Sequence, residues 1–112
     1  MDIKIKTWLL DIIQSIDEIN LFIGENKDFI AYKKDLKTKK AVERNLEIIG
    51  EAVSRILKAE PNFKLENAKN IIGTRNRIIH SYDNISDEVV WTIVHRELPD
   101  LKLQVEDLIE RM

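Results

Sequence analysis

Apolar residues recur at a 4-3 spacing along most of this sequence, and that regularity leaves few folds open. In the first segment Ile5, Leu9, Ile12, Ile16, Ile19 and Ile23 follow one another at intervals of 4, 3, 4, 3 and 4. Such intervals draw one stripe down a helix of 3.6 residues per turn and scatter over both faces of a strand. Trp8, Ile13 and Phe22 widen the stripe, and Gly24 with Asn26 stops it. A short piece around Asp28 to Tyr32 has room for one turn of helix.

The second segment runs from about Leu36 to Ala59, and Pro61 ends it. Val42, Leu46, Ile49, Val53 and Ile56 form its seam. Ala41, Ile48 and Ala52 add a second strip, with Glu47 and Glu51 on the other side. A helix this broadly apolar is expected to touch two partners, the core and another subunit. A third helix is expected from near Asn62 to His80. A fourth starts after Ser86, a suitable N-cap, and reaches Met112, with Pro99 kinking or splitting it near Leu98. No strand-like alternation is long enough to matter. The expected fold is all-α: a single domain over residues 1–112, an up-and-down four-helix bundle that dimerises. At 112 residues about a third of the unfolded surface stays exposed, and a second copy would cover more of it.

Composition narrows the function. With no cysteine there is no disulfide framework and no thiolate metal site. No run of about 18 apolar residues suggests a membrane span, and the N-terminus lacks the apolar core of a signal peptide, so a cytoplasmic protein is expected. A net charge of −2 with 34% charged residues gives no global pull toward nucleic acid; any such role needs a local site. Lys33 to Lys40, "KKDLKTKK", reads as a solvated basic edge or a contact for RNA phosphates.

One stretch departs from ordinary helix: "RNRIIHSYDN", residues 75–84. Ala68, Ile71, Ile72, Ile78 and Ile79 form a stripe, and Arg75 falls near its centre. A buried arginine must be received by something. In a structural reading Arg75 pairs with Glu47, Glu51 or Asp17, His80 caps the helix end, and Tyr82 is a half-buried aromatic. Glu47 and Glu51 also suit Arg44 and Arg55 as ion-pair partners, and Trp8, Trp91 and His95 read as structural. In a catalytic reading Arg75 offers a planar fork of donors to a phosphate, and His80 moves a proton to or from a ribose hydroxyl. The 2′-OH of RNA supplies the nucleophile, so neither a metal nor a cofactor is expected. Arg75 and His80 stand about 140° apart on one helix. They converge if the helix breaks or if two copies share a cleft.

"RNRIIHSY" resembles the Arg-x4-His-x-Tyr signature of HEPN domains, with asparagine after the arginine. "ERNLEIIGEAV" (Glu43 to Val53) resembles the second-helix block of the HepT-like branch, and "DNISDEVVWTIVHRELPDLK" the segment after the motif there. The resemblance implies a homodimeric helical bundle with the motif at a shared cleft and a metal-independent ribonuclease toxin acting on RNA. It also implies a small nucleotidyltransferase antitoxin as cognate partner. Carried over, Arg75 stabilises the phosphate in the transition state and His80 is the acid/base. Asn76 orients His80 or the substrate, and Tyr82 receives AMP from the antitoxin. The alternative it leaves open is a non-catalytic, substrate-binding subunit of a nucleotidyltransferase.

Overall fold

The structure, a computed structural model, describes residues 3–25, 28–80 and 86–112, without the side chains of Ile79 and His80. The described residues are helical with short connections. In order they form α1 (Ile3–Ile23), α2 (Phe29–Lys34), α3 (Leu36–Ala59), α4 (Ala68–His80), α5 (Asp87–Thr92), a π-helical turn (Ile93–Glu97) and α6 (Leu98–Glu110). The last three run on as one rod, since Thr92, Ile93, Glu97 and Leu98 all keep helical backbone angles.

The 4-3 stripe of α1 is the buried one: Ile5, Leu9, Ile12, Ile16 and Ile19 are all sealed from solvent. So is the seam of α3, from Val42 through Leu46, Ile49 and Val53 to Ile56. Leu98, Leu101 and Val105 of α6 join the core, with Tyr32, Leu65, Ile71 and Val90 from the other elements. Each large side chain sealed in this way contributes about 1.5–3 kcal/mol. Helix α3 packs on α1 and on α4, while α6 packs on α1 and α2 on α3. The broad apolar face of α3 therefore meets two neighbours within its own chain. Ala52 of its second strip is buried, whereas Ile48 stays half-exposed.

The helix boundaries have local causes. Gly24 ends α1 with φ +72°, a left-handed conformation that glycine adopts at no steric cost. Asp28 caps α2 by accepting from the Ile30 N–H at 3.0 Å. Asp35 caps α3, accepting from the Thr38 N–H at 3.1 Å and its hydroxyl at 2.6 Å, and these bonds hold its carboxyl below the usual range. Glu60 is extended, as the residue before a proline prefers, so α3 stops ahead of Pro61. Ser86 caps α5 with its hydroxyl toward the Val89 N–H.

One expectation changes, and the expected break near Leu98 takes the form of a π-helical turn. The third helix does not begin near Asn62: α4 starts at Ala68. The preceding segment buries Leu65 and offers the Glu66 N–H to Gln104 Oε1 at 3.0 Å, while Asn67 turns the chain with φ +61°. Pro99 acts through the π-helical turn just before it. A proline ring crowds the carbonyl four residues back, here that of His95, and lacks an N–H to close an α-turn. The wider turn, with the Leu98 N–H on Ile93 O, accommodates both. His95 Nδ1 lies 2.9 Å from Trp91 O. A carbonyl only accepts, so Nδ1 carries the proton.

The rod is tied to the α2–α3 junction. Lys39 Nζ stands 3.2 Å from Asp87 and Lys33 Nζ 3.8 Å from Glu88, which puts part of the basic run to structural use. Trp91 packs against Phe29, Tyr32 and His95, with ring centroids 5.7, 5.1 and 4.1 Å away. Burial in that cluster, helped by Asp87 and Glu43, pushes the Tyr32 phenol well above the usual tyrosine range.

Candidate active site

Arg75 projects from α4 toward α3 at a point where the two helices approach closely. That approach depends on Gly50. A Cβ there would collide with Arg75 Cβ and stand 2.8 Å from Arg75 Cγ and 3.2 Å from the Ile71 carbonyl. Glycine in mid-helix costs stability against alanine, and here its missing side chain is what lets Arg75 lie flat on α3.

The guanidinium is held from two sides. Nη2 donates to Glu51 Oε2 at 2.6 Å, and Nη1 donates to Asn76 Oδ1 at 2.9 Å. Glu51 is shared, since its Oε1 accepts from Arg55 Nε at 3.1 Å. Arg75 Nε is buried with no hydrogen-bond partner among the described residues. Such an orphan costs about 1–3 kcal/mol in a protein interior. The Arg75 side chain is 26% exposed and borders a groove of about 290 Å³, whose walls include Trp8 and Asp11 from α1 and Arg44, Glu47, Ile48 and Glu51 from α3. Arg44, Arg55 and Arg75 alternate there with Asp11, Glu47 and Glu51, so the groove holds fixed, balanced charge.

Of the expected site residues, Arg75 and Asn76 are brought into direct contact. Asn76 bonds Arg75, and its Oδ1 is engaged there. His80 is the last residue of α4, with its side chain outside the described residues, and Tyr82 lies outside them altogether. Among the partners offered to Arg75, Glu51 takes it, Glu47 pairs with Arg44 at 3.0 Å, and Asp17 pairs with Lys102 at 2.9 Å. The Asp17 bond holds the Lys102 ammonium above its ordinary pKa. His95 keeps a structural place against Trp91. Among the described residues no group of three or more His, Cys, Asp or Glu side chains is placed to hold a metal. None of the helices they form is long and apolar enough to cross a membrane.

Among the described residues the chain is helical, and an arginine held by Glu51 and Asn76 stands five residues before the histidine that ends α4. The family model described as "Ribonuclease HepT-like" matches residues 12–108. A Methanocaldococcus jannaschii protein named "Putative RNase" is 33% identical over 107 residues, covering 95% of this chain and 88% of the relative. A Thermococcus cleftensis protein named "Probable ribonuclease HepT" is 36% identical over 110 residues, covering 92% and 94%. No solved structure matches at comparable stringency. The chain belongs to the HepT-like ribonuclease family, and it is a ribonuclease.

Gly50 escaped the sequence reading, while the two pairings read for Glu51, with Arg75 and with Arg55, hold at once. A signal for Gly50 was present: a glycine inside a strongly periodic 24-residue helix, one residue before Glu51.

Proposed function

We propose that this chain is a metal-independent endoribonuclease toxin of a toxin–antitoxin pair, a one-domain, four-helix bundle working as a homodimer in the cytoplasm. Arg75 and His80 act on RNA phosphodiesters at the cleft between two copies. The 2′-oxygen of a ribose attacks the adjacent phosphorus, and the bond to the 5′-oxygen of the next nucleotide breaks, leaving a 2′,3′-cyclic phosphate. The His80 imidazole of one copy takes the 2′-OH proton, and that of the other gives a proton to the departing 5′-oxygen. Arg75 lays its fork against the phosphorane oxygens. Asn76 orients Arg75 through its Oδ1 and, with the rest of its amide, His80 or the substrate.

The observation that carries this reading is the Arg75 guanidinium itself, fixed by Glu51 and Asn76 at the rim of a groove. Pre-orientation of a donor fork is what transition-state binding of an oxyanion needs. A half-exposed strip of Trp8 and Ile48 beside it supports a second copy meeting there. The test is cleavage of RNA by purified protein in EDTA, with analysis of the 3′ ends. Cyclic phosphate products are expected, and a requirement for added magnesium would rule the mechanism out. Sedimentation should give twice the chain mass.

The proposed partner is a small nucleotidyltransferase antitoxin that places AMP on Tyr82. The added phosphodiester charge would occupy the anion site meant for RNA. Co-expression followed by intact mass measurement should show added AMP, mapped to Tyr82 and lost in Tyr82→Phe. Neutralisation of an unmodified toxin would show that the antitoxin works by binding alone.

A further inference from the structure

We propose that the flank of α4 turned away from Gly50 is a track for the sugar–phosphate backbone of the RNA strand, with Lys69 and Arg77 as its phosphate contacts and Gly73 as the point of closest approach. The proposal rests on the chain being a ribonuclease and names how it holds its substrate. Lys69, Gly73 and Arg77 follow one another at intervals of four, so they line one face. They border an open groove of about 320 Å³, closed on its far side by Val89, Ile93 and Glu97 of the final rod.

Three observations favour RNA there. Lys69 and Arg77 are exposed and make no ion pair among the described residues; other surface cations share that, but these are the two that border this groove. They stand about 12 Å apart along the axis at 1.5 Å per residue, enough to follow a few successive phosphates. Gly73 is the second. A Cβ there would meet nothing within 4 Å, so no packing among the described residues calls for glycine at a mid-helix position where it weakens the helix. Space kept open on the outside suits a ligand backbone that comes close. The third is register: His80 follows Arg77 by three residues, so a strand lying along Lys69 and Arg77 runs toward its place in the helix. Glu97, on the far wall, repels phosphate and presses the strand onto α4.

A second copy of this chain is the competing occupant. Like charges argue against it, because a symmetric α4–α4 contact would set Lys69 and Arg77 of one copy against those of the other.

The experiment uses the full-length protein and a fluorescent, mixed-sequence 2′-O-methyl oligoribonucleotide, which lacks the nucleophile and stays intact. For Lys69→Ala/Arg77→Ala, affinity is expected to fall about tenfold, and the slope of log affinity against log salt by roughly 0.7 for each lost contact. Cleavage of ordinary RNA should show a raised KM with kcat retained. Gly73→Ala should melt higher than the parent, and Gly73→Leu should fold yet bind the oligonucleotide weakly at unchanged dimer mass. Unchanged affinity and salt slope in the double variant would overturn the track while leaving cleavage by Arg75 and His80 standing. A Gly73→Leu protein that loses its dimer mass would assign the face to self-association and overturn it too. A parent protein that neither binds nor cleaves RNA removes the proposed function and the track together.

Discussion

Arg75→Ala is expected to lose RNA cleavage by about 10²- to 10³-fold, the cost of removing one positioned oxyanion donor, while the protein stays folded. His80→Ala should cost on the order of 10² to 10⁴ as an acid/base is lost. The structure makes the first result informative, because Arg75 also has a structural partner. Its pair with Glu51 is short at 2.6 Å, but the two side chains are 26% and 39% exposed. A pair wetted to that degree contributes about 1 kcal/mol or less. Removing Arg75 also removes the orphaned Nε, which offsets part of that loss. Glu51 keeps Arg55 as a partner, so no carboxylate is stranded. Arg75→Lys should fail nearly as badly as alanine, since one ammonium on a flexible stem does not reproduce a fork that serves Glu51, Asn76 and phosphate together. Circular dichroism beside the cleavage assay decides the matter. A variant that unfolds with activity lost only in proportion would make Arg75 a structural ion pair.

The periodicity of α1 and α3 read correctly because those stripes are the core itself, and 4-3 spacing has one geometric meaning. The segment from residue 60 to 67 misled, because Phe63 and Leu65 continue an apolar pattern while Asn67 turns the chain. A single buried leucine in a connection looks the same in sequence as the first turn of a helix. Pro99 was legible as a disturbance; its form was not, because a π-helical turn leaves no composition of its own. At the site, Arg75 stood out as a charge inside a stripe, and Glu51 was among its candidate partners. What could not be read was which carboxylate would win. That depends on the α3–α4 approach set by Gly50, a contact between residues 25 apart in the chain.

Gly50→Ala and Gly73→Ala should therefore shift stability in opposite directions, although each adds one methyl group to a helix. In an unconstrained helix the exchange stabilises by about 0.5–1 kcal/mol. Gly73 is unconstrained, since nothing lies within 4 Å of the added Cβ, and its variant should melt higher. At Gly50 the new Cβ meets Arg75 Cβ and the Ile71 carbonyl, atoms fixed to the α4 backbone rather than the tip of a flexible side chain. No rotamer change relieves that contact, so α4 must retreat as a body. Retreat opens the α3–α4 seam, where Ile71 belongs to the buried core, and overpacking of this kind costs about 1–3 kcal/mol. For a chain of this size each kcal/mol lowers the melting temperature by roughly 4 °C or more. The same displacement draws Nη2 away from Glu51, so Gly50→Ala should also cleave RNA more slowly at a temperature where it is still folded. Thermal melts of both variants followed by circular dichroism, with cleavage assayed well below each transition, test the two effects separately. A Gly50→Ala protein that melts higher than the parent would mean that α3 and α4 do not approach closely at Arg75, and the clamp would need another origin.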